Sequence, residues 1–141
     1  MKNNLANIKK SKKLLDSGNC VAIPTETVYG LAANAYSNIA VKKIYKLKKR
    51  PKYNPAIVHY SNLKMLKNDC ILNKKFYLLY KKLCPGPVTF VLKLKKKNKI
   101  SKYVNNNKNT LAVRFPKNKL TIRLLKISFT RVKLPKNYRR S

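Results

Sequence analysis

The sequence predicts an α/β fold, a single domain in which an open sheet is flanked by helices. Short apolar runs at residues 20–23, 56–60, 88–94 and 110–116 are bounded by turn residues, as buried strands are. Between them lie lysine-rich segments whose apolar positions recur at helical spacing, and strands alternating with helices make a layered α/β domain. The length of 141 residues suits one core.

In residues 4–17, Leu5, Ile8, Leu14 and Leu15 recur among lysines, and Ser17-Gly18 is a stop signal, so a first amphipathic helix is expected. Residues 20–23 read as a buried strand containing Cys20, with Pro24 ending its ladder. A loop over 25–30 then sits at the strand's carboxyl end, where open α/β sheets collect ligands. Ser37-Asn38 caps a helix carrying Ile39, Val41, Ile44, Tyr45 and Leu47, and Pro51 ends it, with Lys48 and Arg50 projecting from its last turn. The strand at 56–60 carries His59, the only histidine. A helical turn is expected at 63–66 and a longer helix at 73–83, with Phe76, Leu79, Tyr80 and Leu83 along one side, broken by Pro85-Gly86-Pro87. Residues 88–94 form a strand rich in β-branched and aromatic residues, and the run Lys93, Lys95, Lys96, Lys97 and Lys99 reads as a solvated turn. A polar loop at 105–109 leads into the strand at 110–116, and 120–125 begins a helix.

Past that point the pattern dissolves. Before Leu120 only Arg50 and Arg114 are arginines, whereas Arg123, Arg131, Arg139 and Arg140 follow it. The expected organisation is a domain over residues 1–120 and an atypical, poorly ordered basic tail over 121–141, as a truncated or frame-shifted gene would give.

Lysine and arginine number 35 against Asp16, Glu26 and Asp69, a net charge of +32. Such a field attracts polyanions, nucleic acid among them, although abundance of Asn, Ile and Tyr also fits a coding bias. No apolar run approaches the roughly 18 residues that span a bilayer, and the early lysines precede no signal-peptide core, so a cytoplasmic protein without a membrane partner is expected. Cys20, Cys70 and Cys84 are odd in number and lack metal-ligand spacing, which argues against a disulfide framework or zinc site.

The candidate site gathers Thr25, Thr27 and Tyr29 as neutral hydrogen-bonding groups, Lys48 and Arg50 as cations, then His59, Thr89 and Arg114. Hydroxyls orient a small polar substrate, and Lys and Arg neutralise phosphate, Arg in a bidentate mode. The set suits a nucleotide plus an amino acid or similar small acid. Without a Ser-His-Asp set, metal cluster or Gly-rich phosphate loop, hydrolase, zinc-enzyme and P-loop readings are weak. Glu26, beside these residues, caps a helix or pairs with a lysine as readily as it serves the site.

Several motifs occur in order: Pro24-Thr25-Glu26-Thr27-Val28-Tyr29-Gly30-Leu31, Lys48-Lys49-Arg50-Pro51, Asn54-Pro55, Val58-His59, Pro85-Gly86-Pro87-Val88-Thr89 and Ala112-Val113-Arg114-Phe115-Pro116. Together they resemble the YrdC-like family, the threonylcarbamoyl-AMP synthases, over about residues 5–120. The resemblance implies a single YrdC-like domain with an open, twisted mixed sheet, its C-terminal part incomplete here. It implies a nucleotidyltransferase that makes threonylcarbamoyl-adenylate and pyrophosphate from L-threonine, bicarbonate and ATP, for N6-threonylcarbamoyladenosine in tRNA. It assigns Lys48 and Arg50 to catalysis and ATP phosphates, Asn54 and Thr110 to the nucleotide, and Thr25, Thr27, Tyr29, His59, Thr89 and Arg114 to threonine. Mg2+ would come with ATP, no protein-held metal is implied, and tRNA and other tRNA-threonylcarbamoylation proteins are the expected partners. The family's later Ser-x-Asn motif has no match: the stretch reads Lys133-Leu134-Pro135-Lys136, and Ser128 is followed by Phe129-Thr130-Arg131. That departure leaves a basic RNA-binding module without catalysis, or an inactive remnant, as the alternatives.

Overall fold

The computed structural model describes residues 5–24, 29–47, 56–128 and 132–134, with side chains at 8–23, 30–47 and 56–126. Among these, helix α1 (Leu5–Asp16) leads into a hairpin of β1 (Val21–Pro24) and β2 (Tyr29–Asn34). Helix α2 (Asn38–Leu47), β3 (Ile57–His59), α3 (Leu63–Asp69), β4 (Cys70–Ile71) and α4 (Lys74–Leu83) follow. The chain continues through β5 (Thr89–Leu94), β6 (Thr110–Arg114), α5 (Lys119–Ser128) and β7 (Val132–Leu134). The strands form one mixed sheet in the order β1-β2-β7-β3-β6-β5-β4, with β3 and β6 parallel and every other pair antiparallel.

Caps fix several helix starts, the one at Ser37 as expected and those at Asn62 and Asn73 in addition. Ser37 Oγ accepts from the Ala40 amide, Asn62 Oδ1 from Met65 and Asn73 Oδ1 from Phe76, each satisfying an amide that the first helical turn leaves free. Four features differ from expectation. Tyr29 and Gly30 belong to β2 rather than to a loop, and Pro24 stays in the ladder opposite Tyr29, which an edge strand permits because no partner needs its missing N–H. Helix α3 runs to Asp69, three residues beyond the expected turn, and is followed by the short strand β4. On α4 Phe76 is buried, but Leu79 and Leu83 are exposed. The expected boundary at residue 120 falls inside α5, which packs on α1, and β7 lies mid-sheet between β2 and β3.

Strand alternation assigns the helices to faces. Val58, Leu111, Val113 and Phe90 point into the main core with Val41 and Tyr45 of α2, Leu66 of α3 and Phe76 of α4. On the other face, Ile8 and Leu15 of α1 and Leu124 and Leu125 of α5 cover Val21, Ile23 and Ala32. That cover stops at the β1–β2 end. Over β5 the same face is open, and Val91 is 69% exposed.

Buried Asp69 ties the core layer together, accepting from the Tyr36 hydroxyl at 2.8 Å and the Tyr60 hydroxyl at 2.6 Å. Burial, and secondarily the Asp69 charge, push the Tyr60 hydroxyl far above the usual phenol range. Cys20, Cys70 and Cys84 form no disulfide, and no helix among the described residues is long and apolar enough to cross a membrane.

Candidate functional site

Register builds the site. His59 pairs with Arg114 across the parallel β3–β6 ladder, and Thr89 pairs with Arg114 across β5–β6. Val132 of β7 lies opposite both His59 and Asn34, so one row crosses five strands: Asn34, Val132, His59, Arg114, Thr89. Residues directly opposite share a face, so the row lies on the face that α1 and α5 leave partly open. It stands at the carboxyl ends of β3 and β6, where an open sheet presents unpaired groups.

Arg114 is held rather than free. Its Nε and Nη2 donate to Thr89 Oγ1 at 3.2 and 2.7 Å, and the rest of the guanidinium's five N–H donors have no partner among the described residues. The strand end is fixed by the Tyr60 amide donating to Arg114 O at 3.0 Å and the Gly86 amide donating to Phe115 O at 2.9 Å. At Gly86 a Cβ would stand 3.0 Å from the Leu83 carbonyl oxygen, a tight contact that a larger residue could make only if that carbonyl gave way by a few tenths of an ångström.

His59 is 2% exposed, and its Nδ1 has no hydrogen-bond partner among the described residues. Burial, reinforced by the Arg114 charge, pushes its pKa down to about 3, so the imidazole is neutral at physiological pH. A buried polar atom without a partner is costly, and a ligand that hydrogen-bonds to it offsets that cost. The row therefore offers one fixed cation beside one neutral hydrogen-bonding ring, an arrangement suited to a single carboxylate with a polar neighbour.

The structure brings together His59, Thr89 and Arg114. Thr110 shares their face but lies four residues back along β6, roughly 13 Å away at strand rise. Between Thr110 and Arg114 the floor is Ala112 with Val91 opposite it, two residues that sequence reasoning passed over; period-two alternation in both strands was the available signal. Asn34, also missed, extends the row, its Oδ1 accepting from the Tyr36 amide.

Thr25, Glu26, Thr27, Lys48, Arg50 and Asn54 lie outside the described residues, as does the Tyr29 side chain. Because β2 and β3 are both antiparallel to β7, Tyr29 and Ile57 enter from the same edge of the sheet, the one where β6 begins at Thr110. The expectation of a loop at the ligand-collecting edge assumed that β1 ran parallel to its neighbours. It runs antiparallel, so its carboxyl end faces the other way. Among the described residues no three His, Cys, Asp or Glu cluster as metal ligands would.

Comparison with known proteins agrees with this architecture. The family model for Sua5, YciO and YrdC proteins, described as telomere recombination, matches residues 13–134. Threonylcarbamoyl-AMP synthase of Bacillus subtilis is 39% identical over 122 residues, covering 86% of this chain and 35% of the relative. The enzyme of the same name from Pyrococcus abyssi is 36% identical over 125 residues, with the same coverage. The crystal structure of P. abyssi Sua5 complexed with L-threonine superposes with a TM-score of 0.88 at 31% identity, covering 96% of this chain and 39% of that one. The chain thus spans about a third of the length of these relatives. With that match over most of its residues and the same α/β architecture, the chain belongs to the Sua5–YciO–YrdC family.

Proposed function

We propose that the chain forms threonylcarbamoyl-AMP from L-threonine, bicarbonate and ATP, in the service of tRNA modification. The observation that supports this most directly is Arg114, oriented by Thr89 and standing in register with buried, neutral His59. A guanidinium held by a neighbouring hydroxyl binds a carboxylate with little ordering cost. A neutral histidine adds a hydrogen bond without a second positive charge, leaving the substrate amine free to lose its proton. A relative in the same family is known in complex with L-threonine.

The ligand would lie along the open face. Threonine takes the Arg114 end, its carboxylate on the guanidinium and its polar groups toward His59. The nucleotide extends across Val91 and Ala112 toward Thr110. Lys48, Arg50 and Asn54, which lie outside the described residues, are assigned to the phosphates and nucleoside on the strength of the family resemblance alone. Thr25, Thr27 and Tyr29 are assigned polar contacts with the substrates. In the first step the threonine nitrogen attacks the bicarbonate carbon and water leaves, giving a carbamate. A carbamate oxygen then attacks the α-phosphorus of Mg2+-bound ATP, the bond from that phosphorus to the bridging oxygen breaks, and pyrophosphate departs with the charge. Neither step requires a protein nucleophile; positioning and cationic stabilisation supply the catalysis.

The test is pyrophosphate release by the purified chain from ATP, with threonine or bicarbonate withheld in turn. Release that requires both is expected. ATP turnover indifferent to threonine, or failure of the chain to bind threonine at all, contradicts the proposal.

A further inference from the structure

A second feature lies on the opposite face of the sheet, on the α2 side. Lys42, Tyr45, Lys102, Tyr103, Asn106 and Asn107 line a cavity of about 160 Å3. Val41 and Tyr45 of α2 pack in the core beneath Val58 and Val113, whereas Arg114 and His59 point to the other face, so the cavity and the proposed substrate site are separate. Its lining is mostly aromatic ring and aliphatic stem. The Lys42 ammonium stands 4.5 Å from the Tyr103 ring centroid and that of Lys102 5.8 Å away.

The segment carrying Tyr103 is held in place before any ligand arrives. The Ser101 amide donates to Ala35 O and its hydroxyl to Asn38 Oδ1; Val104 O accepts from the Ala56 amide at 3.1 Å and from the Tyr45 hydroxyl at 3.3 Å. Asn105 is buried and its side-chain amide donates to the Lys108 and Thr110 carbonyls. Asn106 and Asn107 follow in the left-handed region, with φ of 58° and 57°, which Asn tolerates better than most residues, and both are exposed.

We propose that this cleft takes one unpaired nucleobase, a pyrimidine, of a single-stranded nucleic acid, with the flanking phosphates on Lys42 and Lys102. Size selects the occupant. At about 160 Å3 the cavity is below the roughly 300–1,000 Å3 that encloses a whole small-molecule ligand. A cavity of about 150 Å3 does accept one small aromatic ring. One ring therefore enters, and what it is attached to stays outside among exposed ammonium groups. Aromatic rings joined by an anionic backbone are what single-stranded nucleic acid supplies, and stacking surfaces beside cations are how such strands are bound without sequence reading. An acidic peptide would satisfy the lysines but would leave the ring-sized cavity unfilled. The net charge of +32 draws the strand in.

Because charge alone gives background binding, the decisive variant is uncharged. Affinity for a labelled uridine oligomer of about ten nucleotides should fall roughly 5- to 150-fold on Tyr103→Ala and be retained on Tyr103→Phe. Lys42→Gln and Lys102→Gln should each reduce the salt slope of binding by about one. An abasic oligomer of equal length should bind unaltered protein as weakly as the uridine oligomer binds Tyr103→Ala. This last comparison decides the matter even if Tyr103→Ala fails to fold. Equal binding of the abasic and normal strands, or full affinity in folded Tyr103→Ala, overturns the proposal. Arg114→Lys should leave uridine-oligomer binding unchanged, so the result is independent of the proposed synthase activity.

Discussion

In the proposed threonine site, Thr89 holds Arg114 in place. With Nε and Nη2 on one hydroxyl, the guanidinium is oriented before a carboxylate arrives, so Thr89→Val should weaken threonine binding roughly 5- to 10-fold, through loss of a hydrogen bond worth about 1 kcal/mol, while Arg114 remains. Calorimetric titration with threonine checks this. His59 carries a pH prediction. Its folded pKa of about 3 lies below the ordinary 6.5, so the unfolded chain takes up a proton that the folded one refuses. Stability from this group is complete above about pH 6.5 and is lost as pH falls toward 3, by an amount on the order of 5 kcal/mol at most. With only three Asp and Glu residues in the chain, few other groups titrate in that window. The thermal midpoint should fall across it in the unaltered protein and much less in His59→Gln. Both residues stood out in the sequence, His59 as the sole histidine and Arg114 as a rare arginine among lysines. They were expected in one site, but not that they would stand directly opposite each other across β3 and β6, because pairing register is a long-range property that no local pattern encodes.

Among the elements, α3 and β3 depend on a polar contact inside the core. Asp69 closes α3 and accepts from Tyr60, just past β3, and from Tyr36, just past β2. Asp69→Ala removes a shared acceptor from two buried or half-buried hydroxyls and should cost about 2–4 kcal/mol, read as a lower urea midpoint. Asp69→Asn, which keeps one carbonyl oxygen, should cost less. Asn73→Ala at the α4 cap should cost about 1 kcal/mol in the same experiment. Elements with strong local signals were legible: α1, α2 and α4 through apolar spacing, α2 also through its Ser37 cap, and β5 and β6 through β-branched runs between breakers. β2 escaped because Tyr-Gly-Leu-Ala-Ala-Asn is poor in β-branched residues and its strand state comes from pairing with β1 and β7. β4 is two residues long, too short for any period to register.

At the scale of the whole molecule, charge and topology pull in different directions. A net charge of +32 repels itself in the compact state. Raising ionic strength from about 0.01 to 0.1 M shortens the screening length from about 30 to 10 Å and should raise the thermal midpoint. Topology places the row of Asn34, His59, Arg114 and Thr89 beside the α1–α5 layer, and that layer needs α5, which the sequence showed only at its start. β7 was illegible because three residues acquire strand character only between β2 and β3. The reading of this face as a threonine site stands or falls with L-threonine affinity measured calorimetrically for unaltered protein and for Arg114→Lys. Lysine keeps the charge but loses the planar fork, so affinity should fall about 10- to 100-fold with the thermal midpoint unchanged. Equal affinity in the two proteins would mean that Arg114 does not receive the carboxylate.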